Sequence, residues 1–198
     1  MLDKLLVATG NKGKLVEIRE ILKGIEVLGL KDVGIDVDVE ETGKTFAENA
    51  YIKAFEISKL SGLPVLADDS GLEVDVLGGE PGVYSARYAG EDTTDEKNVS
   101  KLLSKLKDVP LNERTARFAC AMCIIFPDGK KIESFGVSCP GIIIDEPRGE
   151  NGFGYDPVFY STEYGKTFSE MSMEEKNKVS HRKAALIALS EKIKGELL

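Results

Sequence analysis

The stretch VLADDSGLEV, Val65 to Val74, sets two carboxylates side by side within an otherwise apolar run. Val65, Leu66 and Ala67 read as a buried strand that leaves the core at Asp68 and Asp69, with Gly71 ending it. Neighbouring like charges repel, and near a core they also lose solvation. A chain that carries this pair must offset the cost with a metal ion or a shared proton, or place the pair in a turn at the surface.

The surrounding pattern predicts one mixed-sheet α/β domain over 1–198. Leu5 to Ala8 reads as a short buried strand, followed by a helix over 13–23 whose apolar face is Leu15, Ile18 and Leu22, with Gly24 as its stop. Val33 to Val39 alternates like a strand. Thr45 and Glu48 form a capping box for a second helix, with Phe46, Ala50, Ala54 and Ile57 on one face and Gly62 and Pro64 at its end. Leu77 to Pro81 is a glycine-rich loop and Asp95 to Leu106 a helix. Arg117 to Phe126 and Lys131 to Ser138 are strands joined by a Pro-Asp-Gly turn at 127–129. A last helix begins after Ser180 and packs through Leu186, Leu189, Ile193 and Leu197. Strands and helices alternate early and a hairpin follows, the order of an α/β fold.

Charge and cysteine content narrow the function. Lys and Arg number 26 against 34 Asp and Glu, a net charge of −8, the reverse of a nucleic-acid-coating protein. No apolar run is long enough to span a membrane, and the first residues lack the apolar length of a signal peptide, so a cytoplasmic protein is expected. The three cysteines, Cys120, Cys123 and Cys139, suit a reducing compartment. Cys120 and Cys123 are spaced C-x-x-C, but in a strand that separation sends the thiols to opposite faces, so they read as core residues.

Five stretches carry chemistry. ATGNKGK, residues 8–14, runs from a strand through a turn into a helix start with Lys12 and Lys14 beside it, an arrangement suited to phosphate. It is not a Walker A loop, since Leu15 stands where Ser or Thr belongs. EETG at 40–43 and DDSG at 68–71 each present an acidic pair at an expected strand end. Carboxylates from two such ends are what an oxygen-preferring Mg²⁺ site shares with substrate phosphates. GFGYDP at 152–157 sets aromatic residues between glycines, where a ring can stand clear and stack on a planar ligand. EEKNKVSHRKA at 174–184 crowds Lys176, Lys178, His181, Arg182 and Lys183 around an expected helix start, where they oppose the helix dipole. An anionic or carbonyl-bearing ligand would resolve that conflict.

Together, ATGNKGK, EETGKTFAENA, LADDSGLEVDVLGGEPGVYSARYAGED, GFGYDPVF and EEKNKVSHRKA resemble the inosine triphosphate pyrophosphatase family, the XTP/dITP diphosphatases, in the family's order from residue 8 to residue 184. The resemblance implies an elongated mixed β-sheet flanked by helices, two lobes with a central cleft, and a homodimer. It also implies Mg²⁺-dependent hydrolysis of ITP, dITP and XTP to the monophosphate and pyrophosphate. By position, Thr9, Gly10, Asn11, Lys12, Gly13 and Lys14 would hold the triphosphate. Asp69 would be the catalytic carboxylate and a metal ligand, with Asp68 and either Glu40 or Glu41 assisting at the metal. Ser70 and Asp68 would border the phosphates, and Lys14 would act on them. Phe153 would stack on the base, with Gly154, Tyr155 and Asp156 alongside, while Lys176, His181 and Arg182 would recognise the base. A 6-oxo purine presents an acceptor where adenine presents an amino donor, which suits such cationic donors.

Two other readings compete. Asp69-Ser70-Gly71 after an apolar strand also resembles half of an aspartic protease site, which a symmetric dimer would complete, but that leaves Lys14, Phe153 and His181 without a role. A nucleotide-binding sensor without hydrolysis would be hindered by carboxylates at 40–41 and 68–69 that face a polyanion with no metal between.

Overall fold

The computed structural model describes residues 2–137 and 139–196. Its elements run β1 (Lys4–Val7), α1 (Lys12–Ile21), β2 (Glu26–Gly29), α2 (Phe46–Ser61), β3 (Val65–Val74), α3 (Asp95–Leu106), β4 (Thr115–Ile125), β5 (Lys131–Val137), β6 (Gly141–Ile143), β7 (Phe159–Ser161), β8 (Lys166–Thr167), α4 (Met173–Val179) and α5 (His181–Glu196). The strands pair in the order β2-β1-β3-β4-β6-β7-β8, with β5 on β4. β1 is parallel to β2 and β3, while β4–β6, β6–β7 and β7–β8 are antiparallel, so the sheet is mixed.

The chain divides into two compact units. The first comprises 1–69, 120–136 and 183–198, the second 70–119 and 137–182. β3 and β4 cross from one to the other, the first between Asp69 and Ser70.

In the first unit, Leu5 and Val7 of β1, Leu66 of β3, and Cys120, Met122 and Ile124 of β4 pack with Ile18 and Leu22 of α1 and with Leu186, Leu189 and Ile193 of α5. The alternate residues Leu6, Val65, Ala67, Ala121 and Cys123 are buried too, so these strands are covered on both faces. Cys120 and Cys123 are core residues, and burial pushes the Cys123 thiol up to about 12. α2 starts at the expected capping box: Thr45 Oγ1 accepts from Glu48 N–H and Glu48 Oε2 accepts from Thr45 N–H. Gly62, in the left-handed region at φ 64°, closes it.

The second unit packs Val99, Leu102 and Leu106 of α3 against Leu72, Val74, Phe118, Ile143, Tyr155, Phe159 and Phe168. Phe118, Phe159 and Phe168 form a ring cluster with centroids 4.6–5.6 Å apart.

Three expectations are corrected. Residues 33–39 form no strand: Leu30–Val33 is a 3₁₀ turn, and the stretch beyond, with Val37 half exposed, is irregular. β2 at Glu26–Gly29 takes the place beside β1, leaving the Asp-rich alternation unpaired with any strand. Gly71 does not end β3, which continues to Val74, so Asp68 and Asp69 lie in mid-strand. The basic cluster belongs to two helices, since Lys176 and Lys178 sit in the last turn of α4, where the dipole favours them, and His181 opens α5. Of the expected elements, Ser138 and Leu197 lie outside the described residues.

Gly71 serves close approach. A Cβ there would come within 2.4 Å of Gly82 O and of Ser85 Oγ. Ser85 Oγ accepts from Leu72 N–H at 2.9 Å and donates to Gly82 O at 2.7 Å, tying β3 to the 82–87 turn. Gly71→Ala should therefore destabilise the protein by about 1–3 kcal/mol, the usual scale of overpacking. Chemical denaturation checks this, and an unchanged midpoint would count against the close packing.

Candidate active site

In the first unit the site is built from the turn after β1, the segment before α2, α2 itself, and mid-β3. Asn11 caps α1, its Oδ1 accepting from Gly13 N–H at 2.8 Å and Lys14 N–H at 3.2 Å, while Thr9 Oγ1 accepts from Asn11 N–H. The cap fixes the turn and aims Lys14, whose Nζ donates to Asp68 Oδ2 at 2.8 Å. Asp68 is almost wholly buried, so this pair is a buried, charge-assisted bond, stronger than a surface ion pair. A Cβ on Gly10 would meet nothing within 4 Å. The Lys12 side chain lies outside the described residues.

The EETG segment is drawn onto α2. Gly43 N–H donates to Asn49 Oδ1 at 2.8 Å, an approach that a Cβ on Gly43, 2.6 Å from that oxygen, would block. Asn49 then donates from Nδ2 to Asp69 Oδ2 at 2.9 Å. One turn on, Lys53 Nζ bonds Glu41 Oε1 at 2.8 Å. Glu41 is thus turned inward and Glu40 is exposed. The four carboxylates do not make a ready metal cage: among the described residues, no three Asp, Glu, His or Cys side chains are gathered to hold an ion. Lys14 and Lys53 occupy oxygens of Asp68 and Glu41 instead.

The electrostatics follow from burial. Desolvation raises the Asp69 carboxyl above the usual carboxylate range; Lys53 opposes it, Glu41 adds to it, and the Asn49 bond and Lys14 oppose it. Burial pulls Lys53 down, but Asp68, Asp69 and Glu41 outweigh it and hold the ammonium above its ordinary value.

In the second unit, Phe153 is half exposed, with Lys176 Nζ 5.0 Å from its ring centroid. Lys176 also donates to Asp156 Oδ2, which accepts from Phe153 N–H at 3.0 Å. Gly154 N–H donates to Asp95 Oδ2 at 2.6 Å. Tyr155 is buried, its hydroxyl donating to Ser85 O at 2.8 Å, so its ring anchors the loop from the core. His181 is buried and stacked on Phe118 with centroids 5.2 Å apart. Arg182, also buried, points Nη2 to Ser70 Oγ at 3.4 Å.

Comparison with known proteins identifies the lineage. The sequence profile of the Ham1 family matches residues 5–192. The chain belongs to the Ham1 family. It is 51% identical over 192 residues to the dITP/XTP pyrophosphatase of Geobacillus kaustophilus, covering 96% of this chain and 94% of that one. It is 48% identical over 198 residues to the dITP/XTP pyrophosphatase of Escherichia coli K12, covering 98% and 100%. Among solved structures, the Ham1 protein of Staphylococcus aureus superposes with a TM-score of 0.88 at 44% identity, covering 98% of this chain and 99% of that one. A HAM1 protein of Coxiella burnetii gives 0.89 at 41% identity, covering 98% and 100%.

Asn49 and Lys53 are polar residues of the candidate site in the first unit that the sequence patterns left out. They stand four apart on α2, polar interruptions beside the buried Ala50 and Ala54, and that spacing is the signal that marks them. The raised carboxyl of Asp69 has a signed consequence. A carboxyl raised on folding favours the fold below its unfolded value, and that contribution is lost as pH rises through the folded value. In chelator-containing buffer near pH 8, Asp69→Asn should raise Tm by about 2–4 °C, since Asn still accepts from Asn49. The gain should vanish at acid pH. Calorimetry across pH checks this, and a loss of Tm at pH 8 would contradict it.

Proposed function

We propose that this chain hydrolyses the purine nucleoside triphosphates ITP, dITP and XTP to the monophosphate and pyrophosphate. One observation carries the proposal beyond the names of its relatives: two adjacent, buried carboxylates, one bound to a lysine at a helix start and the other raised above its ordinary value by its burial. A carboxylate so raised suits a general base that deprotonates water near its working pH. We assign that role to Asp69, which Asn49 holds in one orientation.

Thr9 to Lys14 take the triphosphate, with Lys14 the movable cation that exchanges Asp68 for a phosphate oxygen. The donors fit Mg²⁺, which binds through one or two carboxylates and completes its shell with substrate phosphates and water. Asp68, Asp69 and Glu41 would hold it, in preference to the exposed Glu40. Bound there, the ion would neutralise phosphate charge and make the α-phosphorus more electrophilic. Lys53 keeps Glu41 placed and tempers the charge beside Asp69. In the second unit, Phe153 stacks on the base, Lys176 and Asp156 set its ring, and His181 and Arg182 donate to the 6-oxo group. A homodimer and a cytoplasmic location accompany this reading, the second in keeping with three cysteines that form no disulfide with one another. The protease reading is not favoured, because Asp68 and Asp69 already have partners within the same unit, Lys14 on the first and Asn49 on the second.

The test is turnover of ITP and ATP with Mg²⁺. ITP should give IMP and pyrophosphate; IDP and orthophosphate would refute the proposal. Arg182→Ala and His181→Ala should each lower the ratio of kcat/KM for ITP over ATP by roughly tenfold or more, the scale of a lost hydrogen bond to a charged donor. Lys14→Ala should slow both substrates and leave that ratio nearly unmoved. The opposite pattern would reverse the two assignments.

A further inference from the structure

We propose that Asp95, the first residue of α3, is a positioning residue for the stacking ring of Phe153. The proposal rests on the nucleotide reading of that ring given above.

The loop 152–156 bends sharply. Gly152 and Gly154 both take left-handed conformations, at φ 83° and 63°, and Phe153 lies between them. Such a loop has little backbone pairing of its own, yet its exposed ring must be held in one plane to stack on a base. Two carboxylates supply the restraint by accepting from successive backbone N–H groups. Asp156 Oδ2 takes Phe153 N–H at 3.0 Å, and Asp95 Oδ2 takes Gly154 N–H at 2.6 Å.

These two bonds differ in kind. Asp156 belongs to the loop, so its bond to Phe153 N–H shapes the turn from within, and the loop is tied outward there through the Lys176 side chain and Ser169 N–H. A Cβ on Gly152 would come 2.2 Å from Asp156 Oδ2, which shows how tightly the turn folds around that carboxylate. Asp95 stands 59 positions away, on a helix whose Leu102 and Leu106 are fully buried. Its bond is charge-assisted and ties the ring-bearing turn to a rigid element. The other external ties, Tyr155 to Ser85 O and those made to Asp156, act after the ring; Asp95 bonds the backbone N–H directly next to it.

A different role for Asp95 would be to stabilise α3 through the helix dipole, alongside Glu96 in the same turn. The two roles separate by experiment. Asparagine keeps an oxygen acceptor for Gly154 N–H and loses the charge; alanine loses both. A ring that is held less firmly weakens ground-state and transition-state binding alike, which raises KM and leaves kcat.

The experiment is steady-state hydrolysis of ITP by wild-type protein, Asp95→Ala, Asp95→Asn, Phe153→Ala and the double variant Asp95→Ala/Phe153→Ala, with Tm measured for each. Asp95→Ala should raise KM about tenfold with kcat within about twofold, the scale of one lost hydrogen bond to a charged group. Asp95→Asn should recover part of that loss, because it keeps a neutral acceptor for Gly154 N–H. In the Phe153→Ala background, Asp95→Ala should add nothing, because the two act through one contact. The proposal is overturned by an unchanged KM in Asp95→Ala, by a fall in kcat at constant KM, by equal losses in Asn and Ala variants, or by additive effects in the double variant. Wild-type protein that leaves ITP intact would overturn the nucleotide reading itself, an outcome distinct from all of these.

Discussion

Two ionisable neighbours buried in mid-strand are the constraint around which the first unit is arranged. Asp68 and Asp69 are successive residues of β3, and each takes its hydrogen bond from a different partner. Lys14, from the start of α1, meets Asp68; Asn49 meets Asp69, with Lys53 and Lys14 as the charges that oppose its desolvation. The partners arrive from different directions along the chain, across 54 and 20 residues. Everything that sets them serves this arrangement: the Asn11 cap, the Thr45–Glu48 capping box, and the close approach at Gly43.

The compensation is incomplete, and the remaining imbalance is what suits Asp69 to the general-base role proposed for it. Asp69 stays above the ordinary carboxylate range even with two lysines near it, so the fold carries a cost that a fully satisfied core would not. Active sites store such costs where a proton must move. In the second unit the division is different. His181 and Arg182 are buried and fixed by stacking and hydrogen bonding, and Phe153 alone stands out as an exposed large apolar ring of its loop. Fixed donors and one projecting ring are suited to recognition by shape and by hydrogen-bond pattern.

Local signals in the sequence were readable where local chemistry decides the outcome. The capping box, the αL glycine at 62, the bounds of α3 and the Asn11 turn all follow from neighbouring residues. The alternation over 33–39 misleads because a strand also needs a partner, and β2 has taken that place. Gly71 reads as a breaker, whereas its lack of a side chain lets β3 pass Gly82 and Ser85. β6, β7 and β8, two or three residues each, are too short to leave a periodic trace. The motifs single out Asp68, Asp69, Lys14 and Phe153; the spacing on α2 only hints at Asn49 and Lys53, whose partners, like that of Asp95, appear in contacts across long stretches of chain. Motifs record residue types in order; they do not record which carboxylate each lysine meets.

The central claim is that Asp69 is held above the ordinary range by its burial, with Lys53 restraining the shift. The most direct test is a carboxyl-carbon NMR titration of Asp69 in chelator-containing buffer, in the wild-type protein and in Lys53→Met. The account predicts a midpoint above the model-peptide value of about 3.9, moving further up when the Lys53 charge is removed. A midpoint at or below the model-peptide value, or one that Lys53→Met leaves in place, would contradict it.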